Sequence, residues 1–352
     1  MTSRRRTSRH RTSRRRAAFC AATLTAGLAL AGCGGDERPS AAPGRVTVDN
    51  CGEQVSFPDP ARRLFVNQGN RIATVLALGA ADRVAAVSGL GDDRDVLGAA
   101  YGADVVGDLP VATEGQPSLE NVVARRADVV VSWFSDGDDV TPERLATRSI
   151  AAYQSSEGCR QGPDDARGTM EPWDALYADL RNLGRITGHD HEAEARVTGI
   201  RERLDALAAA PAAQDPPTVF LFDRGTADVY SSGAYGAPQA IIGAAGARNA
   251  LGDLRESWTS VSWERVVAAK PDFIAFVDYG RQSFEDKVAV LRGNPATRDL
   301  PAVVEGRFLN LPFAMWTSSP LNVDAAEHLR TALEARDLLP RSEVRARLDL
   351  PR

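Results

Sequence analysis

Apolar and polar residues follow two different spacings along the 352-residue chain, one typical of strands and one typical of helices. Between Val46 and Phe57 they alternate residue by residue about the sequence Asn50-Cys51-Gly52, which favours a turn. Alternation on both sides of a short turn predicts a β-hairpin.

Strand and helix patterns then alternate. Apolar runs at Leu64–Val66, Val84–Val87 and Asp128–Trp133 predict strands, and the continuous apolar character of the third predicts burial on both faces. A helix pattern at Ile72–Leu78 separates the first two runs, and the alternation of strand and helix resumes at Thr218. Such alternation predicts parallel sheets covered by helices, so the predicted fold class is α/β.

The middle of the chain is helical instead. Apolar residues fall on one helical face from Pro172 to Thr187, where Gly188 predicts the end of the helix, and Asp190 is predicted to cap the next one. That second helix, predicted to end at Ala209, has a narrow apolar stripe consisting of Ala193, Val197, Ile200, Leu204 and Leu207. A narrow stripe is typical of a helix lying across a surface. The predicted outline is therefore two α/β halves joined by one long helix.

Two segments of the chain resemble each other. SLENVVARRADVVVSW (118–133) and SWERVVAAKPDFIAFV (262–277) match at an offset of 144 residues. The identical pairs are Ser118/Ser262, Glu120/Glu264, Val122/Val266, Val123/Val267, Ala124/Ala268 and Asp128/Asp272. Each unit predicts a serine cap, a short helix and a buried strand, and the repeat predicts two lobes of like topology. Chance similarity between two ordinary helix–strand units is the alternative.

The N-terminal segment has the features of an export signal. Eight Arg fall within the first sixteen residues, and the uncharged apolar stretch Ala17–Ala31 follows, which is too short for a comfortable membrane span. Its end, Leu30-Ala31-Gly32-Cys33, resembles the lipobox of bacterial lipoproteins, in which the cysteine thiol takes a diacylglycerol and becomes the new N-terminus. We predict a signal peptide over residues 1–32, lipidation of Cys33 with a fatty acid such as palmitate, and a flexible tether over 33–45. An ordinary signal peptide with an incidental cysteine is the alternative, and the choice between Sec and twin-Arg export stays open.

The charge of the rest of the chain excludes one class of partner. Removing the eight N-terminal Arg from 42 basic residues leaves 34 against 47 acidic ones. Such an acidic body repels nucleic acid and an anionic membrane surface, so we expect no nucleic-acid binding and membrane attachment through the lipid alone.

The cysteines indicate an oxidising compartment. Cys20 lies in the predicted signal, which leaves Cys51 and Cys159 in the body of the protein. In an exported protein such a pair is more often a disulfide than a metal or catalytic site, so we predict a Cys51–Cys159 bond. Two separate buried thiols are the alternative.

From about Val46 to the C-terminus the chain resembles the periplasmic binding proteins for ferric siderophores, haem and cobalamin. The two repeat units carry the resemblance together with LFVNQGNRIATVLALGAADRV, PWDALYADLRNLGRITG and PFAMWTSSPLNVDAAEHL, in this order and spacing. The resemblance implies an N-terminal lobe over 46–188, a connecting helix over 189–210 and a C-terminal lobe over 215–352.

The resemblance also implies a function. We expect a monomeric binding protein without enzymatic activity, lipid-anchored to the outer face of the cytoplasmic membrane. It would capture a ferric siderophore or a similar chelate for an ABC permease dimer with its ATPase. No cofactor is expected, because the chelator itself holds any iron.

Two glutamates are the expected docking residues. In the family, one glutamate per lobe reaches an arginine pocket on each half of the permease, and Glu120 and Glu264 occupy the matching positions. A receptor made of two equal halves should be met by matching charges on the two lobes. The alternative is that each acid only favours the dipole of its helix.

The ligand is expected between the lobes, where the carboxyl ends of strands converge. The candidate residues are the aromatic residues Trp133, Phe134, Tyr235, Trp258 and Trp316 and the arginines Arg71 and Arg224. Flat rings provide contact area for a broad chelate, and guanidinium groups could hold its anionic groups. The chain reads Ser319-Pro320-Leu321-Asn322 where the family often has an arginine after the proline, so the ligand is expected to be less anionic or differently shaped.

The sequence also bears on two other functions, direct metal binding and enzymatic activity. Direct zinc or manganese binding would need converging ligands, but outside the signal the histidines are only His189, His191 and His328, at separate places. An enzyme is disfavoured because the sequence has no phosphate loop, nucleophile elbow or HExxH motif. Cobalamin, haem or a deazaflavin-cofactor precursor as ligand, and a lipoprotein sensor without a transport role, stay open.

Overall fold

The computed structural model describes residues 44–135, 137–159, 170–280 and 282–350, which belong to one compact unit. The predicted signal peptide, the predicted lipidation site Cys33 and all of the predicted tether except its last two residues lie outside the described residues. No helix in the described ranges has the length and apolar character needed to cross a membrane.

The fold begins with the predicted hairpin. Strands β1 (Gly44–Asn50) and β2 (Glu53–Asp59) pair antiparallel around Cys51 and Gly52. Both turn residues have positive φ, 57° at Cys51 and 80° at Gly52, a conformation that glycine adopts without a steric penalty. The hairpin prediction is confirmed.

A disulfide links this hairpin to the end of the first lobe. The sulfur atoms of Cys51 and Cys159 are at bonding distance, with their Cα atoms 5.1 Å apart, within the usual range for a disulfide. The bond closes a loop of 108 residues, for which chain entropy gives roughly 4 kcal/mol of stabilisation.

The first lobe is a five-stranded parallel sheet in the order β5-β4-β3-β6-β7. Its strands are β3 (Leu64–Asn67), β4 (Val84–Ser88), β5 (Val111–Thr113), β6 (Val129–Ser132) and β7 (Ala151–Gln154). Its helices are α1 (Gly69–Ala77), α2 (Arg94–Tyr101), α3 (Ala103–Gly107), α4 (Leu119–Ala124) and α5 (Pro142–Ala146).

Two long helices follow, α6 (Pro172–Thr187) and α7 (Asp190–Ala208), close to their predicted bounds. Gly188 ends α6 in the left-handed conformation with φ 78°, as its position predicts. The cap prediction at Asp190 is wrong: the capping position is His189, and Asp190 is the first helical residue, where its carboxylate lies at the positive end of the helix dipole.

The second lobe has a parallel sheet in the order β11-β8-β13-β14 and a small antiparallel sheet in the order β12-β10-β9. Its strands are β8 (Thr218–Phe222), β9 (Arg224–Gly225), β10 (Val229–Ser232), β11 (Arg248–Asn249), β12 (Trp258–Val261), β13 (Phe273–Asp278) and β14 (Phe308–Pro312). Its helices are α8 (Ala237–Ala244), α9 (Trp263–Ala269), α10 (Phe284–Gly293), α11 (Pro301–Val304), α12 (Phe313–Trp316) and α13 (Asn322–Ala335). The predicted α/β class with two lobes is confirmed.

One hydrophobic core joins the two lobes. It contains Val66 from the first sheet, Val219 from the second, and Leu180, Val197 and residues of α1, α8, α12 and α13 between them. The outer face of each sheet has a smaller core of its own. Because strand side chains alternate between faces, each strand contributes to both kinds of core.

The repeat corresponds to matching structure. Ser118 and Ser262 cap α4 and α9 by accepting a hydrogen bond from the backbone nitrogen three residues later, and a buried parallel strand, β6 or β13, follows each helix. The strand order β4-β3-β6-β7 in the first sheet corresponds to β11-β8-β13-β14 in the second.

Candidate functional site

A cleft of about 480 Å³ lies between the two sheets at their carboxyl edges. In each parallel sheet the strand that comes first in the sequence, β3 or β8, lies between two later strands. The chain therefore leaves this strand toward one side of the sheet and later crosses to the other side, and a crevice opens between the two sides beyond the carboxyl ends of the strands. Gln68 follows β3 and Trp133 follows β6, while Asp223 follows β8 and Tyr279 follows β13. All four residues line the cleft, which therefore lies where the two crevices face each other.

Four of the seven predicted ligand residues line this cleft: Arg71, Trp133, Arg224 and Trp258. They come from both halves of the sequence, and only the fold brings them together.

The other three predicted ligand residues lie elsewhere. Trp316 is completely buried, and its indole Nε1 donates to the backbone oxygen of Phe276 at 3.0 Å, so its predicted place in the ligand cleft is wrong. The side chain follows α12 into the core shared by the lobes. Phe134 lines a separate groove beside the hairpin, and the hydroxyl of Tyr235 accepts a hydrogen bond from Arg255 Nε at 2.8 Å outside the cleft.

The second lobe contributes an aromatic wall. Trp258 and Tyr230 stack with ring centroids 6.1 Å apart, and the guanidinium of Arg224 lies 3.9 Å from the centroid of the Tyr230 ring. Tyr279 and Phe313 form a second stacked pair, with centroids 4.4 Å apart. Tyr230, Tyr279 and Phe313 were not among the predicted ligand residues. Two of them had a signal in the sequence, since Tyr279 directly follows the strand of the second repeat unit and Phe313 lies in a stretch that carries the family resemblance.

Arg71 is a buried member of the first lobe's wall. Its Nε donates to Ser155 Oγ at 2.6 Å, and its Nη1 donates to Gln68 Oε1 at 2.7 Å. Burial lowers the pKa of Arg71 to about 10, an effect opposed by the nearby carboxylates of Glu157 and Asp179. Its Nε and Nη1 are therefore used within the first lobe.

Two buried carboxylates of the first lobe hold the second. Glu157 Oε1 accepts from the backbone nitrogen of Ala237 at 3.0 Å, and Oε2 accepts from that of Ser318 at 2.9 Å. Asp93 Oδ1 accepts from the backbone nitrogen of Ala314 at 2.8 Å. We call these three bonds the interlobe bonds.

Burial makes ionisation of the interlobe carboxylates, Asp93 and Glu157, unfavourable. Burial raises the pKa of Asp93 to about 7 and raises that of Glu157, although their backbone hydrogen bonds act in the opposite direction. Asp93 also packs against the start of α1, where a Cβ on Gly69 would lie only 2.1 Å from Asp93 Oδ2. The close approach of these elements therefore requires glycine at position 69.

The two predicted docking residues occupy equivalent exposed positions. Glu120 and Glu264 lie in the first turns of α4 and α9, directly after the serine caps, and neither lines the cleft. A hydrogen bond from Ser262 lowers the pKa of Glu264, which keeps it ionised. The repeat thus presents one exposed carboxylate per lobe.

The three histidines among the described residues lie apart from one another. His189 Nδ1 contacts Thr187 Oγ1, His328 Nε2 contacts the backbone oxygen of Leu348, and His191 is exposed. The described ranges contain no cluster of three histidine, cysteine or acidic side chains suited to hold a metal ion.

Comparison with known proteins identifies the family. The sequence profile described as "Periplasmic binding protein" matches residues 68–315. The vitamin B12-binding protein of Yersinia pseudotuberculosis is 25% identical over 172 residues, 49% of this chain and 56% of that protein, so the match spans little more than half of the relative.

Solved structures share the fold. An ABC-type Fe3+-hydroxamate transport protein from Saccharomonospora viridis superimposes with a TM-score of 0.69 at 22% identity, covering 82% of this chain and 98% of that one. A periplasmic haem-binding protein from Pseudomonas aeruginosa gives 0.62 at 22% identity, covering 81% and 99%. Since the family profile spans most of the chain and the fold agrees, the protein belongs to the periplasmic binding protein family.

Proposed function

We propose that the protein captures a ferric siderophore or a similar chelate outside the cytoplasm and delivers it to an ABC permease with its ATPase. The observation that carries the proposal is the cleft between the two strand-end crevices, with stacked aromatic side chains on its wall. Such rings provide contact area for a broad, partly apolar ligand at low entropic cost. Because the family consists of solute-binding proteins, we expect no catalytic activity.

Truncating the aromatic wall tests this site. Trp258→Ala should weaken chelate binding by about 1 to 3 kcal/mol, roughly 5- to 150-fold in Kd, because the ligand loses the exposed face of the indole and Tyr230 loses its stacking partner. Isothermal titration calorimetry with ferric siderophores, haemin and cyanocobalamin measures the effect without relying on tryptophan fluorescence.

Phe134→Ala is the matched control. It removes a half-buried aromatic side chain of the first lobe, which lines the separate groove beside the hairpin, so it should leave Kd within about twofold. Equal losses in the two variants would place the ligand outside the cleft.

Cobalamin is the second candidate ligand, on a specific observation. Asn67, Gln68 and Gln116 line the first lobe's side of the cleft with carboxamide groups. Carboxamides both donate and accept hydrogen bonds, so they complement the amide side chains of a corrinoid. Mass spectrometry of ligand that co-purifies with the protein distinguishes cobalamin from a siderophore.

We further propose that Cys33 carries a lipid that anchors the protein to the outer face of the cytoplasmic membrane. Cys33→Ala should abolish incorporation of labelled palmitate, whereas Cys20→Ala should not, since only Cys33 follows the lipobox-like sequence. Palmitate incorporation that persists in Cys33→Ala would contradict the anchor.

A further inference from the structure

Asp223 is a buried carboxylate that lines the cleft. It directly follows β8, its side chain is 4% exposed, and its backbone nitrogen donates to the backbone oxygen of Tyr230 at 3.1 Å. These restraints fix the carboxylate on the second lobe's wall.

Only one of its two oxygens is paired within the described part of the chain. Oδ2 accepts from Arg224 Nη1 at 2.6 Å, whereas Oδ1 is buried and has no hydrogen-bond partner among the described residues. Lys287 attracts the carboxylate electrostatically without a hydrogen bond to it, and one N–H of its Nζ donates to the backbone oxygen of Val277. Leaving a buried charged oxygen without a donor is unfavourable, so Oδ1 favours a ligand that supplies one.

Arg224 is correspondingly less suited to hold an anion. Its Nη1 pairs with Asp223 and its guanidinium lies over the Tyr230 ring, so part of its charge is compensated within the wall although its side chain is about half exposed. The charged side chains that line the cleft in the described ranges are three acids, Asp138, Glu157 and Asp223, and two arginines, Arg71 and Arg224. This balance disfavours a ligand with several negative charges.

We propose that Asp223 determines specificity: its Oδ1 accepts a hydrogen bond from an N–H or O–H group of the ligand, so the cleft selects neutral or cationic chelates over polyanionic ones. This inference rests on the proposed chelate-binding function. It assigns the ligand a donor group, a hydroxyl, amide or ammonium, beside the stacked Tyr230 and Trp258 rings.

The test uses ligands matched in their chelating part. Ferrioxamine B carries a free ammonium group. Its N-succinyl derivative carries an amide at that nitrogen and a carboxylate at the end of the added succinyl chain, and cyanocobalamin is a neutral donor-rich probe. With the wild-type protein, succinylation should raise Kd at least about tenfold, because the ligand loses the charged donor that faces Oδ1 and gains a carboxylate close to the acids of the cleft. This comparison needs no variant and does not depend on how a substitution folds.

Asp223→Asn provides the second measurement. The amide oxygen can still accept from Arg224, which turns the NH2 group toward the donor of the ligand. Kd for a donor ligand should rise at least about tenfold, and the penalty for succinylation should shrink. Asp299→Asn, which removes an exposed acid of the second lobe that does not line the cleft, is the control and should change both affinities equally by less than about threefold.

The measurements distinguish failure of the proposed role of Asp223 from failure of the proposed chelate-binding function. Preference of the wild-type protein for the succinyl derivative, or equal effects of Asp223→Asn and Asp299→Asn, would overturn the role of Asp223 while the chelate-binding function stands. If the protein binds none of the siderophore, haem or corrinoid probes, the proposed function fails and the role of Asp223 fails with it.

Discussion

The double variant Glu120→Arg/Glu264→Arg is expected to abolish ligand uptake while ligand affinity stays within about twofold. The two carboxylates are exposed, lie in equivalent first turns of α4 and α9, and do not line the cleft. If each reaches a basic pocket on one half of the proposed permease, charge reversal places like charges opposite each other at both contacts, which costs several kcal/mol. Uptake is measured in a deletion strain and affinity by calorimetry on the purified protein.

A matched control separates this effect from net charge. Asp95→Arg/Glu285→Arg also reverses one exposed acid per lobe in the first turn of a helix, but outside the repeat, so uptake should persist. Normal uptake by the Glu120/Glu264 variant would mean that the two acids act only on their helix dipoles. Loss of affinity in that variant would mean that the ligand contacts one of these helices.

Glu157→Gln is expected to lower the free energy of unfolding by about 2 to 4 kcal/mol. Both carboxylate oxygens accept backbone N–H groups of the second lobe, and a glutamine amide would turn an NH2 group toward one of these donors. The buried Arg71 would also lose a compensating charge. Removing a carboxylate whose pKa is raised by burial offsets part of the loss. Urea unfolding at pH 7 measures the change, and a loss below about 0.5 kcal/mol would show that the interlobe bonds of Glu157 contribute little.

Asp93→Asn is the control at the other interlobe bond, and its effect on the free energy of unfolding should depend on pH. Asp93 has one interlobe donor, Ala314, so an amide oxygen can still accept it. The folded protein holds the Asp93 proton more tightly than the unfolded chain does, because the pKa rises from 3.8 to about 7. This group therefore makes the free energy of unfolding fall as pH rises from about 4 to about 7. Asp93→Asn should be more stable than the wild type at pH 8, and the advantage should vanish near pH 4.

Periodicity in the sequence is sufficient to predict the framework of the fold. The hairpin, the strands β3, β4 and β6, and the helices α6 and α7 all appear close to their predicted bounds, because alternation and helical stripes directly reflect which faces are buried. The serine caps were also predictable, since the cap acts within three residues of its own position.

The cleft was predicted less completely, for a physical reason. Trp133 and Trp258 were found from their places beside predicted strands and caps, but whether a tryptophan faces a cleft or a core depends on distant packing, as Trp316 shows. Glu157 and Asp93 could not be identified, because their partners are backbone groups more than 75 residues away in sequence. Every residue except proline carries a backbone N–H, so the sequence does not indicate which of them a distant carboxylate binds.

The core shared by the two sheets has a consequence for how cargo leaves the protein. Residues of both sheets and of α6 and α7 pack into one continuous apolar interior, so swinging the lobes far apart would expose that interior to water. The cleft is then already formed in the ligand-free protein, and little of the binding free energy is needed to bring the two lobes together. Spontaneous release of the ligand by wide separation of the lobes would therefore be unfavourable. In the proposed transport cycle, contacts of the permease with the outer surfaces of both lobes must therefore distort the cleft. Ligand release then depends on binding to the permease.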